Sequence, residues 1–317
     1  MPDTKWDRFT ELPPALRPPF DPATEIHIHG LDEESAARRR LIKEAWGGRL
    51  PESVPFNVQP ASADLEGLAN IDSVEAWQSL FGTLVYVLYP EVPNGRAVLV
   101  HQGHASYAGR WSSGVGTLID HLLSKGFTVA AMQMPLQGWN KGPWTSHAAL
   151  IEARGNASLA QFIGPVIEVV NRLYDRYTDI SMAGFSGGGW TTVLAAAIDT
   201  RITRSAAVAG SLPVTFRNAY KEKVCFYHAS DEQSDLELYG EMSYEDLYVL
   251  GASDGRRHLQ INNQYDSCCF YGVSSALYVP HVAKAASGSW TFELDSTHKN
   301  HKLSARAVEL IDLLLEE

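Results

Sequence analysis

Ser186 has the surroundings a nucleophile needs. It lies in Gly184-Phe185-Ser186-Gly187-Gly188-Gly189, a G-x-S-x-G pattern. The apolar run Ile-Ser-Met-Ala-Gly (180–184) precedes it, and an alanine-rich helical stretch at 188–198 follows. A serine on a tight strand-to-helix turn is forced into an uncommon backbone conformation. Small neighbours let such a turn pass close to the adjoining strand and helix. The turn aims the hydroxyl off the C-terminal edge of a sheet. The N–H of Gly187 then lies at a helix N-terminus, where backbone donors stabilise an oxyanion. The bland alternative is a glycine-rich loop that only turns the chain, and the strand–turn–helix context favours the nucleophile.

A nucleophilic serine requires a base, and the base requires an orienting acid, each placed after a later strand. His298 and His301 both follow the run Trp290–Leu294, in Asp-Ser-Thr-His-Lys-Asn-His-Lys-Leu-Ser (295–304). Ser304 is suited to cap the last helix, which puts His301 in the loop directly before it and makes it the first choice, with His298 second. Asp266 follows the run His258–Asn262 directly and is the expected acid. Asp231 and Asp235, after Val-Cys-Phe-Tyr-His (224–228), are the alternatives. The second oxyanion donor is expected from Gln102-Gly103-His104, after the run Ala97–His101, from the N–H of His104 or of Gly103. Phe185 and Trp139 are expected to touch substrate, and Trp139 and Trp144 have the aromatic surface to line an acyl or sugar pocket, although plain packing explains them equally well.

These positions require particular elements. Apolar runs at 83–89, 97–101, 128–132, 180–184, 204–210, 258–262 and 290–294 read as strands. They alternate with helical patterns at 112–125, 157–177, 188–198, 274–286 and 304–315. Strands apolar throughout and separated by helices make a mostly parallel sheet covered on both faces, an α/β fold. Residues 1–82 read as an N-terminal extension: a proline-rich arm (Pro13, Pro14, Pro18, Pro19, Pro22), a helix at 32–46 capped by Asp32 and stopped by Gly47-Gly48, and a loop at 50–72. Residues 83–317 form the expected catalytic domain. Within it 211–257, rich in tyrosine and acidic residues, reads as an insertion over the C-terminal edge of the sheet.

Composition narrows the function further. The 317 residues are 45% hydrophobic and 20% charged, enough for a core and against disorder. Net charge is −11, and Arg38-Arg39-Arg40 lies among Glu33, Glu34 and Glu44, so no basic face for nucleic acid is expected. No apolar run approaches the roughly 18 residues of a membrane span. The start, Met-Pro-Asp-Thr-Lys-Trp, lacks a signal-peptide layout, and a cytoplasmic location is the expectation. Three cysteines, two of them adjacent (Cys268, Cys269), read as reduced thiols, since neighbouring residues rarely satisfy disulfide geometry. No cofactor is expected: Gly-Phe-Ser-Gly-Gly-Gly lacks the lysine and spacing of a phosphate loop, and no dinucleotide fingerprint occurs. No metal is expected either. His27 and His29 on one strand face are a candidate pair, but no third ligand is evident nearby.

The runs Ala-Val-Leu-Val-His-Gln-Gly-His (97–104), 180–202, 205–213, 259–270 and Thr-His-Lys-Asn-His-Lys-Leu-Ser (297–304) together resemble the α/β-hydrolase superfamily, over about residues 83–317. Within it the chain looks most like bacterial carboxylesterases and acetyl-esterase-like members, some acting on acylated carbohydrates. The resemblance implies Ser186 as nucleophile, Asp266 as acid and His301 as base. Two departures stand out. The oxyanion loop reads His-Gln-Gly-His in place of His-Gly-Gly-Gly, and the aromatic insertion matches no known cap. The expected function is therefore a serine ester hydrolase acting on a small-molecule ester, with a homodimer contact one use for residues 1–82. A serine peptidase or acyltransferase of the same fold is the alternative, and a non-catalytic hydrolase-fold binding protein is the alternative from another class. Only 82 residues precede Thr83, too few for the propeller common in such peptidases.

Overall fold

The computed structural model describes residues 19–52, 57–59, 68–104, 111–216, 231–234, 236–266, 268–270 and 275–316. Among the described residues nine strands form one sheet: β1 (Asn57–Gln59), β2 (Ile71–Gln78), β3 (Leu84–Pro90), β4 (Ala97–Gln102), β5 (Thr128–Gln133), β6 (Ile180–Phe185), β7 (Ile202–Val208), β8 (Arg257–Asn263) and β9 (Ser289–Asp295). Their spatial order is β1-β2-β3-β5-β4-β6-β7-β8-β9. The first three strands pair antiparallel, as does β3 with β5, and from β5 through β9 every pairing is parallel.

Strands β4, β5 and β6 are buried at every position. Successive side chains point to opposite faces, so each run feeds two cores. Leu99, Ala130 and Met182 join one core, and Val98, Val129 and Ala183 join the other. The first core is closed by α1 (Leu31–Trp46), α4 (Leu159–Tyr174), α5 (Gly187–Ile198), α6 (Tyr244–Gly251) and α7 (Ser275–Ala285). Leu41, Phe162, Trp190, Tyr248 and Tyr278 from these helices are all fully buried in it. The second is closed by α2 (Val115–Ser124) and α8 (Ala305–Glu316), through Leu118, Ile119, Ile311 and Leu315.

Three local expectations change. Strand β1 and the first two residues of β2 lie in the stretch 50–72 read as loop, and the rest of β2 follows where no element was expected. Its outer positions are polar (Asp72, Ser73, Glu75) and only Ala76 and Trp77 are buried, so no apolar run marks it. Ala76 and Trp77 enter opposite cores, and an antiparallel strand next to the sheet edge needs no longer apolar run. Helix α1 begins at Leu31 with Gly30, not Asp32, at its cap, and it ends as expected on Gly47 in the left-handed region (φ 71°). A further helix, α3 (His147–Arg154), starts where Ser146 Oγ accepts the Ala149 N–H. From the N-terminal 82 residues, Ile26, Ile28, Leu41 and Trp77 all enter the first core.

The segment 211–257 has two described parts beyond its first six residues. Helix α6 is the crossover that a parallel β7–β8 pair requires. Its Tyr248 stacks near Trp290 at 5.7 Å, on the face of the sheet. In the turn 231–234, Glu232 meets His104 and His147 at the C-terminal edge. Among the described residues no helix is long and apolar enough to cross a membrane.

Candidate active site

Ser186 stands between β6 and α5 with φ 57° and ψ −125°. That conformation costs a non-glycine residue about 1–3 kcal/mol. The surrounding hydrogen bonds over-determine it: the Ser186 N–H donates to Val208 O at 2.9 Å, and its carbonyl accepts the Trp190 N–H at 3.0 Å. The turn closes only because glycines surround it. A Cβ on Gly184 would lie 2.1 Å from Gly188 O, and one on Gly188 would lie 2.0 Å from the His101 carbonyl oxygen. Both obstacles are backbone. Gly188→Ala gains about 1 kcal/mol of helix propensity and incurs an overpacking cost of about 1–3 kcal/mol or more. A fixed backbone obstacle puts the cost at the upper end, so denaturant unfolding is expected to show a net loss of about 2 kcal/mol.

Two loops meet Ser186 from the far side of the sheet edge. His301 Nε2 lies 2.9 Å from Ser186 Oγ, and His301 Nδ1 lies 2.7 Å from Asp266 Oδ2. A carboxylate only accepts, so Nδ1 carries the proton and Nε2 presents its lone pair to the hydroxyl. Asp266 is held in turn. Its Oδ1 accepts the N–H groups of Cys268 (2.8 Å) and Cys269 (3.0 Å), and Asn263 Nδ2 donates to Oδ2 at 3.1 Å. The Phe185 ring packs 4.7 Å from the His301 ring. Phe185 itself is 2% exposed, so the structure places it beneath the histidine and not on an open wall for substrate.

His298 does not reach Ser186. Its Nε2 is 3.3 Å from Asp295 Oδ2. Asp295 also accepts Thr297 Oγ1 and Ser304 Oγ, and Ser304 Oγ accepts the Ala307 N–H to cap α8. Of the two histidines in this loop, His301 faces the serine and His298 faces Asp295. Asp235 and the side chain of Asp231 lie outside the described residues.

Gly103 passes directly against the turn: a Cβ there would sit 2.6 Å from Ser186 Cβ and 2.7 Å from Gly187 N. The His104 ring covers Gly187, whose own Cβ would lie 2.7 Å from His104 Nδ1. Gln102 fixes the stem of this loop, donating through Nε2 to Ser112 Oγ and accepting the Ser112 N–H. Trp139 is half-buried and packs edge-on against Tyr86 (5.2 Å) and Trp111 (5.0 Å). Trp144 lines a separate cavity of about 250 Å³ with Leu80, Phe81, Pro135, Leu136 and Leu150, which holds neither Ser186 nor His301.

Two other expectations are corrected. Cys268 and Cys269 are joined to each other as a disulfide and are not thiols. The two N–H groups gathered by Asp266 Oδ1 hold these adjacent residues together at one carboxylate. His27 and His29 lie in no strand. His27 Nδ1 is 2.8 Å from Asp246 Oδ2, and the His29 N–H donates to Glu33. Sequence reasoning missed Asn263, which steadies the acid, and the pair His147 and Glu232 beside His104. Only the Ser146 cap marked the first turn that carries His147.

No protein-family model matches the sequence, and no curated protein matches it. Solved structures do. Methylesterase BT1017 aligns over 90% of this chain with a TM-score of 0.61 and 15% identity, and the chain spans 63% of that protein's length. An acetyl xylan esterase from Paenibacillus sp. R4 aligns over 90% of this chain and 92% of its own (TM-score 0.56, 17% identity). Acetyl xylan esterase 1 from Thermoanaerobacterium sp. JW/SL YS485 aligns over 96% and 98% (TM-score 0.56, 14% identity). With its strand order, its crossovers and these neighbours, the chain has the α/β-hydrolase fold.

Proposed function

We propose that the protein is a serine carboxylic-ester hydrolase with Ser186 as nucleophile. The observation that carries the reading is the continuous chain Ser186 Oγ–His301 Nε2 (2.9 Å) and His301 Nδ1–Asp266 Oδ2 (2.7 Å), built on a serine in a strained turn. Ser186 Oγ attacks the ester carbonyl carbon and its proton passes to His301 Nε2. The resulting oxyanion accepts from the Gly187 N–H and from that of Gly103 or His104. Collapse breaks the C–O bond to the alcohol, which takes the proton from His301. Water then gives a proton to the same nitrogen, attacks the acyl-enzyme, and the acid leaves as Ser186 regains its hydrogen. Asp266 orients His301 and stabilises the imidazolium. Acetyl esters, including those of carbohydrates, are the favoured class, in keeping with two neighbours named acetyl xylan esterases that align over almost their whole length.

A fluorophosphonate probe is expected to label the folded protein once per chain, with the adduct mapped by peptide mass spectrometry to Ser186. p-Nitrophenyl esters of graded length and acetylated xylo-oligosaccharides then set the acyl preference. Absence of labelling in folded protein would leave a binding role for the fold, and turnover of long acyl chains alone would remove the acetyl-ester assignment.

A further inference from the structure

Three side chains from distant parts of the sequence converge beside the serine turn. His104 comes from the loop after β4, His147 from the first turn of α3, and Glu232 from the helical turn Asp231–Ser234. His104 Nε2 lies 2.9 Å from Glu232 Oε1 and 3.2 Å from His147 Nδ1, and His147 Nδ1 lies 3.2 Å from Glu232 Oε2. Glu232 is fully buried, His147 is 6% exposed, and the His104 side chain is 27% exposed.

The hydrogen positions are the informative part. His147 Nε2 is 2.7 Å from the Pro135 carbonyl oxygen, which only accepts. That nitrogen therefore carries a proton, and in a neutral imidazole Nδ1 presents its lone pair to the cluster. A carboxylate and a lone-pair nitrogen facing each other at 3.2 Å repel unless something positive lies between them. Glu232 Oε1, although 2.9 Å from His104 Nε2, makes no hydrogen bond of acceptable geometry and is buried. One ligand atom from each residue lies within 4.8 Å of the other two, and the two ring nitrogens stand 3.2 Å apart, close to the roughly 3.3 Å edge of a tetrahedron with bonds of about 2.0–2.1 Å around one ion. The Pro135 carbonyl supplies the outer hydrogen bond that fixes the tautomer of a metal-bound histidine.

We propose that His104, His147 and Glu232 form a binding site for one divalent transition-metal ion, zinc being the fit for two imidazoles and a carboxylate. The ion ties the Gly103-His104 loop to α3 and to the 231–234 turn, and so positions the wall beside Gly187. It reverses the sequence-based expectation of no metal. The site stands on its own donor atoms and does not depend on the ester-hydrolase assignment.

The test uses the full chain, stripped with chelator and titrated with Zn²⁺ and separately with Co²⁺. One zinc per chain by elemental analysis, visible d–d bands of four-coordinate Co²⁺, and X-ray absorption fitted by two imidazoles and one carboxylate with no sulfur are expected. Glu232→Gln, checked for folding by circular dichroism, is expected to weaken zinc binding by more than the roughly 10–100-fold that an outer hydrogen-bond partner is worth. Metal-free protein at saturating zinc, a sulfur ligand in the absorption fit, or unchanged affinity in folded Glu232→Gln would each overturn the site. In the first case a shared proton alone would hold the three groups together. The wild-type spectra decide the matter if the variant does not fold.

Discussion

Replacement of Ser186 by alanine is expected to lower kcat for p-nitrophenyl acetate by about 10⁴- to 10⁶-fold and to abolish the acyl-enzyme burst. The substitution deletes the single atom that both attacks the carbonyl and bonds His301 Nε2. It leaves Gly187, Gly103 and Asp266 in place, so a residual rate from the oxyanion donors and binding alone is expected to remain above water. Folding is not at risk, because the backbone bonds to Val208 and Trp190 that hold the turn do not involve the hydroxyl. Ser186→Gly sharpens the test. It is equally inactive but removes the cost of φ 57°, so its unfolding free energy is expected to rise by about 1 kcal/mol or more over Ser186→Ala. A nucleophile held in strain predicts stability and activity moving in opposite directions at this one position. A serine that only turns the chain predicts no loss of rate, and an unchanged burst in Ser186→Ala would end the proposal.

The second large effect is at Asp266. Asp266→Asn is expected to reduce kcat by about 10⁴-fold with little change in KM. The reason lies in what surrounds the carboxylate. Oδ1 accepts two backbone N–H groups, from Cys268 and Cys269, so an asparagine keeps its carbonyl oxygen there and turns its NH₂ toward His301 Nδ1, giving up the hydrogen bond from Asn263 Nδ2, which keeps its bond to the Lys302 carbonyl. A donor facing Nδ1 forces the proton of His301 onto Nε2, where it meets the Ser186 hydroxyl as a donor and no longer acts as a base. The variant is thus expected to be folded and correctly packed but in the wrong tautomer, which ¹⁵N chemical shifts of the His301 ring would report. Asp231→Asn and Asp235→Asn serve as comparisons and are expected to stay within a few-fold of the parent. Loss of activity in either of those, with Asp266→Asn active, would move the acid to the 231–235 stretch.

Much of the site was written locally. The turn at Ser186 depends on short-range facts: an apolar strand before it, a helix after it, and glycines at 184 and 188 where any Cβ would strike backbone 2.0–2.1 Å away. The choice of His301 over His298 was also local, because Ser304 caps α8 and fixes which loop residue precedes it. Strand β2 was illegible for a definite reason. It carries Asp72, Ser73 and Glu75, and its burial is confined to Ala76 and Trp77, which enter opposite cores, so this strand next to the sheet's antiparallel edge shows no continuous apolar run. Phe185 was misread because one-residue alternation decides its face: it points into the core beneath His301, while its neighbour Ser186 leaves the sheet.

By itself the sequence determined which residues had chemistry to offer and the succession along the chain of the strands β3 to β9 that present them. Both follow from periodicity and turn residues, which act over a few positions. The tertiary structure alone decided the convergences. His104, His147 and Glu232 are separated by 43 and 85 residues. No local pattern links them, and their meeting follows from the crossovers that bring the loop after β4, the start of α3 and the 231–234 turn to one edge of the sheet. The disulfide between Cys268 and Cys269 was equally out of reach, because the carboxylate that gathers their N–H groups belongs to a loop shaped by β8 and by its partner across the edge, the loop carrying His301. Short-range sterics are legible in a string of residues. Proximity between segments is set by how a twisted sheet and its crossovers bring their loops to a common edge, and that is a property of the folded chain.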